Sequence, residues 1–255
     1  MKRNVLKTKL SKSEAIVNGW LSIPSSYLAE GAGQQGFDSV TVDMQHGMMG
    51  IESAIHMLQA ISTTHAVPMV RSPSKEPETI MHLLDAGAYG VICPMISTKQ
   101  DAQELVKACR YPPVGKRSFG PARGKLYGGS DYFEFANDEI LAIPMIETAE
   151  GLQNIDAILA VPGIDMVYVG PNDLALDLGE KPGSELIDGE TSNAISHILG
   201  RAKAAKVATG IFCSGGDMAK RRLSEGFDLV TPGNDFNTLM SAMQSDVNKS
   251  LASAD

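Results

Sequence analysis

Short runs rich in valine and isoleucine alternate along this chain with longer segments of helical period, the pattern of parallel strands buried on both faces and joined by helices. Strands are expected at residues 15–21, 39–43, 68–71, 90–93, 141–146, 166–169, 208–212 and 229–231. Helices are expected at 26–34, 51–62, 76–86, 99–109, 149–159, 191–205, 217–224 and 236–252. In the second of these, Ile51, Ala54, Ile55, Leu58 and Ile61 keep one face apolar at steps of three and four. Eight such units in strict alternation point to an α/β fold closed into a (β/α)8 barrel of TIM type, over an open doubly wound sheet. At 255 residues the chain has the length of one such barrel, typically about 250 residues, so a single domain over 1–255 is expected.

Capping residues and glycines mark the joints, as with Ser97 ahead of Lys99, Asn234 ahead of Phe236, and the glycines of DAGAYG and SEGFD that end a helix before the next strand. Two stretches break the rhythm. Residues 111–131, YPPVGKRSFGPARGKLYGGSD, combine glycine and proline with Lys116, Arg117, Arg123 and Lys125 and are expected to form a long loop over the active face. Residues 178–189 read as a shorter polar insertion.

Composition narrows the function classes. A formal net charge of -8 sets the average surface against phosphate backbones and anionic membranes, so neither a nucleic-acid nor a membrane partner is expected. No apolar stretch approaches the roughly 20 residues of a membrane span, and the start, MKRNVLKTKLSKSEAIVNGW, lacks the apolar centre of a secretion signal; a cytoplasmic location is expected. Cys93, Cys109 and Cys213 are odd in number and widely spaced, which fits small buried thiols better than a disulfide framework or a zinc knuckle. Neither a GxGxxG turn nor a GxxxxGK[ST] loop stands in the right context for a nucleotide enzyme.

Polar residues follow apolar runs at four places: Asp43 and His46 after SVTV, Arg71 at the end of VPMVR, Glu147 after AIPMI, and Asp173 after VYVGPN. A barrel brings all such strand ends to one face. Glu147 and Asp173 suit a hard divalent cation such as Mg²⁺ or Mn²⁺, or serve as helix caps. Asp43 lies three residues before His46, near enough to fix an imidazole tautomer, although a loop histidine is also an ordinary polar residue. Arg71 has the donor fork for a carboxylate or an enolate oxygen, or for a salt bridge. The turns GPND and TPGND add backbone amides at helix starts. None of the expected strands carries a lysine, which disfavours Schiff-base aldol chemistry.

These motifs resemble the HpcH/HpaI aldolase family, metal-dependent class II lyases acting on 4-hydroxy-2-oxo acids. The likeness runs from about Trp20 to the last helix, through SSYLAEGAGQQGFDSVTVDMQHG, PMVRSPSKEPETIMHLLDAGAYGVICPM, ACRYPPVGKRSFGPAR, IETAEGLQNIDAILAVPGID and VYVGPNDLALDLG. The resemblance implies a pyruvate-type barrel in which Glu147 and Asp173 hold the divalent metal, Mg²⁺, Mn²⁺ or Co²⁺. It implies that His46, oriented by Asp43, is the general base on the substrate 4-hydroxyl, and that Arg71 stabilises the enolate. The carboxylate of pyruvate is then expected on the backbone near Gly170, Pro171 and Asn172, with Met145 near the same end and Phe212 and Cys213 shaping the aldehyde side. The partners implied are a small 2-oxo acid and an aldehyde, with further copies of the chain in a trimer or hexamer whose last helices exchange between neighbours. Gln45 and Met145 depart from the commoner Glu and Gln of the family, which leaves the natural aldehyde open. Two alternatives stand beside the aldolase: a related lyase or synthase acting on a CoA thioester or oxaloacetate, whose adenosine phosphates would need the basic 116–125 cluster, and a metabolite-binding barrel without turnover.

Overall fold

The computed structural model describes residues 1–183 and 186–252, so the expected insertion at 178–189 falls partly outside the described residues. Helix α1 (Val5–Ser11) comes first, followed by β1 (Ile16–Leu21), α2 (Ser26–Gly33), β2 (Ser39–Asp43), α3 (Ile51–Ile61), β3 (Val67–Arg71), α4 (Pro77–Asp85), β4 (Gly90–Cys93) and α5 (Lys99–Cys109). Then come α6 (Ala122–Gly128), α7 (Tyr132–Glu139), β5 (Leu141–Ile146), α8 (Ala149–Gln153), α9 (Ile155–Leu159), β6 (Met166–Val169) and α10 (Pro171–Asp177). The chain closes with α11 (Gly189–Ala205), β7 (Ala208–Cys213), α12 (Gly216–Glu225), β8 (Leu229–Pro232) and α13 (Asp235–Leu251).

The eight strands form a closed parallel barrel in sequence order, β8 returning to β1 through Ile16 against Leu229 and Val17 against Val230. Every residue of β2, β3, β4, β5 and β6 is buried, as strands packed on both faces require. All eight expected strands are present, with ends displaced by no more than a residue. The expected helix at 149–159 is two short helices meeting at Asn154, whose side-chain amide donates to the Ser97 carbonyl at 2.9 Å.

The barrel interior below the mouth is polar and satisfied. Asn18 accepts from Ser39 (2.8 Å) and Thr41 (3.0 Å) and donates to Thr231 (3.0 Å), and the Tyr168 hydroxyl reaches Thr231 at 2.7 Å. Buried hydroxyls and amides that partner one another avoid the cost of desolvated orphans and fix side-chain positions beneath the site.

Two regions correct the sequence expectation. The first turn of the chain forms α1, capped by Asn4, with Leu6 fully buried; it crosses the end of the barrel where strands begin. Lys7 pairs with Asp165 just before β6, and Lys9 with Asp38 just before β2. A short charged segment carries too few apolar positions for a periodic signal, and its helix is fixed by these tertiary contacts.

Residues 111–131 do not lie over the face where strands end. They connect the end of α5 to the start of β5, and in a barrel every helix-to-strand connection sits at the opposite end. Arg117 is buried there against Asp85 at the end of α4 (2.7 Å) and donates to the Tyr132 hydroxyl at 3.1 Å. Arg123 donates to the Ala86 carbonyl (2.9 Å) and to Ser62 (2.7 Å). Two of the four basic residues that composition singled out, Arg117 and Arg123, thus tie α3, α4 and the 111–131 segment together, while Lys116 and Lys125 are exposed.

At the other extreme of packing, α13 buries none of its residues within this protomer. Phe236, Met240, Met243, Val247 and Leu251, at steps of three and four, leave an apolar stripe exposed along it. No helix among the described residues is long and apolar enough to cross a membrane.

Candidate active site

The strand ends gather around a cavity of about 430 Å³ at the barrel mouth. Asp43, His46, Arg71, Met145, Gly170, Pro171, Asn172, Asp173 and Phe212 all line it, so nine residues singled out from the sequence meet there. Cys213 does not. It follows Phe212 on β7 and points to the other side of the strand, into a neighbouring cavity of about 910 Å³ that Phe212 also borders. Burial pushes its thiol up to about 12, so it is a neutral packing group. Cys93 and Cys109 are also buried free thiols.

Asp43 and Arg71 end adjacent strands and stand opposite each other in the β2–β3 register, which sets their side chains together. Arg71 donates from Nε to Asp43 Oδ1 at 2.8 Å and from Nη2 to Oδ2 at 2.7 Å, a bidentate pair with side chains 7% and 2% exposed. Asp43 also accepts from the peptide nitrogens of Gln45 (3.1 Å) and His46 (3.3 Å) and from the Trp20 indole (3.1 Å). Burial alone would raise this carboxyl, but the Arg71 guanidinium and the His46 and Trp20 donors outweigh it and hold it below the usual carboxylate range.

The expectation that Asp43 orients the His46 imidazole is corrected by these contacts. Five donors occupy its two oxygens, and the one from His46 is the peptide N–H. Asp43 therefore shapes the β2–α3 loop that carries His46 and leaves the imidazole exposed at the cavity rim.

Glu147, first after β5, is 1% exposed and lies behind Gly170 and Met145. Its Oε1 accepts from the Met95 peptide at 2.7 Å, while Oε2 is buried with no protein partner. Met95 achieves that donation from the left-handed region, φ 57°, a strained conformation for a side chain of its kind. A Cβ placed on Gly170 would come within 2.6 Å of Glu147 Oε2, so only glycine permits this approach. Burial pushes the Glu147 carboxyl up to about 7, with the nearby Asp173 charge adding and the Met95 N–H and Arg71 opposing.

An orphaned, desolvated carboxylate oxygen beside a second carboxylate is an arrangement that a divalent cation would relieve, and an all-oxygen donor pair matches a hard ion. Among the described residues no cluster of three or more His, Cys, Asp or Glu side chains is poised for a metal, so a cation held by Glu147 and Asp173 would take its remaining ligands from substrate and water.

Trp20, Ser22, Met48, Phe236 and Asn237 also line the cavity and were not singled out for chemistry from the sequence; Asn234 lines it too, from the TPGND turn. Trp20 lies on β1 at the strand end, the same signal that marked Arg71, but it carries no charge to draw notice. Met95 owes its role to a backbone angle, which no residue type announces.

A family model described as HpcH/HpaI aldolase/citrate lyase matches residues 18–242. A protein named hydroxypyruvate/pyruvate aldolase from Rhizorhabdus wittichii is 44% identical over 239 residues, covering 94% of this chain and 95% of the relative. A 5-keto-4-deoxy-D-glucarate aldolase from Shigella boydii is 34% identical over 243 residues, covering 94% of each. The crystal structure of an HpcH/HpaI aldolase/citrate lyase family protein from Burkholderia cenocepacia superposes with a TM-score of 0.91 at 31% identity, covering 98% of this chain and all of that one.

The Asp43–Arg71 pair generates a stability prediction. Asp43→Asn leaves the buried guanidinium without its counter-charge and is expected to lower unfolding free energy at pH 7 by about 3 kcal/mol or more in denaturant melts. Because the folded carboxyl titrates below its ordinary value of 3.8, the wild-type advantage is present in full above that pH and disappears as pH falls through the lowered folded value. An advantage that persisted unchanged into strong acid would contradict the assignment.

Proposed function

Since the chain belongs to the HpcH/HpaI aldolase/citrate lyase family and is a carbon–carbon lyase of aldolase type, we propose that it reversibly cleaves a 4-hydroxy-2-oxo acid to pyruvate and an aldehyde, with a divalent cation (Mg²⁺, Mn²⁺ or Co²⁺) as cofactor. The observation that carries this reading is the barrel mouth itself, where the Arg71 guanidinium, the His46 imidazole and the Asp173 carboxylate line one cavity and the buried Glu147 carboxylate, with its orphaned oxygen, lies against Gly170 of the cavity wall. The likeness to a hydroxypyruvate/pyruvate aldolase supports pyruvate, or its 3-hydroxy analogue, as the enolate partner.

Glu147 and Asp173 are the residues that would hold the cation, which when bound supplies Lewis-acid polarisation of the substrate 2-oxo group. Arg71 keeps Nη1 free of protein acceptors among the described residues, so it has a donor left for the C2 oxygen as negative charge grows there. The substrate carboxylate fits against the Gly170–Pro171–Asn172 turn; Pro171 has no N–H, so the donors are the amides of Asn172 and Asp173. His46 accepts the 4-hydroxyl proton, the C3–C4 bond breaks, the new carbonyl leaves as aldehyde, and the bonding pair passes into the C2–C3 enolate. Protonation at C3 gives pyruvate. Oxaloacetate decarboxylation is a side reaction of the same site, since loss of CO₂ generates the same enolate without a hydroxyl proton to remove.

A CoA-dependent reading draws no support from the basic stretch, because Arg117 and Arg123 are engaged within the protein at the far end of the barrel. A barrel without turnover would have no use for the buried, strained setting of Glu147.

For assembly, the proposal is a homo-oligomer, a trimer or hexamer, in which α13 packs against a neighbouring protomer. The support is the apolar stripe of α13 that nothing in its own protomer covers.

The reaction is tested by coupled detection of pyruvate released from a panel of 4-hydroxy-2-oxo acids with added Mg²⁺, Mn²⁺ or Co²⁺. Release is expected with metal and is expected to fall at least 100-fold in Glu147→Ala and Asp173→Ala, while His46→Ala loses cleavage and keeps oxaloacetate decarboxylation. No release from any member of the panel with metal bound would overturn the reading. Assembly is tested by sedimentation: Met243→Asp, a charge in the middle of the stripe, is expected to give smaller species than wild type, and identical profiles would overturn the α13 interface.

A further inference from the structure

Trp20 is the only tryptophan of the chain, and its setting is more specific than that of a pocket wall. Its indole nitrogen donates to Asp43 Oδ2 at 3.1 Å, and the Arg71 guanidinium carbon lies 4.8 Å from its ring centre. It is braced from two sides. Tyr168 stacks on it at 5.8 Å with ring planes 25° apart, and Phe212 meets it edge-on at 5.5 Å and 81°. Tyr168 is itself fully buried and anchored through its hydroxyl to Thr231. The indole is thereby joined to the hydrogen-bonded network of the barrel interior and cannot turn freely.

The consequence falls on Arg71. Two of its three guanidinium nitrogens are spent on Asp43, so the direction of the third depends on where the Asp43 carboxylate is held and on how the guanidinium plane lies. Trp20 constrains both at once: its N–H holds the carboxylate oxygen that also receives Nη2, and its ring bears on the guanidinium. A phenylalanine offers only the second contact and an aliphatic residue offers neither.

We propose that Trp20 is a positioning residue that aims the enolate-stabilising Arg71 through the Asp43 carboxylate. The proposal rests on the reading of the mouth as a pyruvate-enolate site. It assigns Trp20 an effect on the chemical step, separate from any contact with the aldehyde.

The test is a mutant cycle on metal-loaded enzyme, reading kcat for both pyruvate release and oxaloacetate decarboxylation. Trp20→Phe is expected to lower both kcat values about 10-fold, the size of one lost charge-assisted hydrogen bond, with KM for the aldehyde in the synthetic direction unchanged within about twofold. Trp20→Leu is expected to lower them further. In an Arg71→Lys background, where the fork is already gone, Trp20→Phe is expected to change kcat by less than about twofold. Unchanged kcat in Trp20→Phe, the same 10-fold loss in the Arg71→Lys background, or an effect confined to KM for the aldehyde would each overturn the positioning role. A wild-type enzyme that releases no pyruvate from any substrate would overturn the underlying reading instead. A readout independent of turnover comes from the single tryptophan: Arg71→Lys is expected to shift the wild-type emission maximum, since it alters the cation over the indole, and identical spectra would count against the contact.

Discussion

Closing eight parallel strands into a ring removes every sheet edge and points every strand in one direction, so whatever stands at a strand's carboxyl end meets its counterparts at a single mouth. This constraint brings Asp43, Arg71, Glu147 and Asp173 together from positions scattered over 131 residues of sequence numbering, from 43 to 173. It also sends the opposite connections, including the basic stretch before β5, to the far end, where Arg117 and Arg123 tie helices together. Chemistry and reinforcement are therefore separated by the direction of the strands.

Within the mouth, two carboxylates in similar strand-end positions are driven to opposite states by their surroundings. Asp43 is paired with Arg71 and receives three further donors, so it stays charged. Glu147 has one peptide donor, a bare oxygen and Asp173 for a neighbour, so its charge is opposed until something positive arrives. The first arrangement is rigid and complete; the second is complete only with a further ligand. That difference underlies the two proposed roles, positioning for Asp43 and cation binding for Glu147.

The strand pattern was legible because strands packed on both faces are buried along their whole length, as β2 to β6 are, and draw mostly on valine, isoleucine and other apolar residues. The strand-end rule then located Asp43, His46, Arg71 and Asp173 of the cavity, and the family resemblance added Met145, Gly170, Pro171, Asn172 and Phe212. Cys213 was misassigned because adjacent residues on a strand face opposite sides, and Phe212 already held the inward one. The 111–131 segment was misplaced because glycine and proline announce a loop without saying at which end of the barrel it lies; counting helix and strand to either side supplies that information. What the pattern does not carry is pairing. Asp43 and His46 are neighbours in sequence, yet the carboxylate turns to Arg71 across the strand, a cross-strand register that only the folded barrel defines. Trp20 and the left-handed Met95 likewise act through geometry that residue type does not encode.

The central claim is that this mouth forms a pyruvate enolate, and it is tested most directly without any aldehyde. Wild-type protein with Mg²⁺ and pyruvate in D₂O is expected to exchange the C3 protons of pyruvate for deuterium, followed by loss of the methyl signal in proton NMR, at a rate well above that with Mg²⁺ alone and slowed at least 10-fold by Arg71→Lys. Exchange no faster than the protein-free rate, with pyruvate and Mg²⁺ at saturating concentration, would contradict the account.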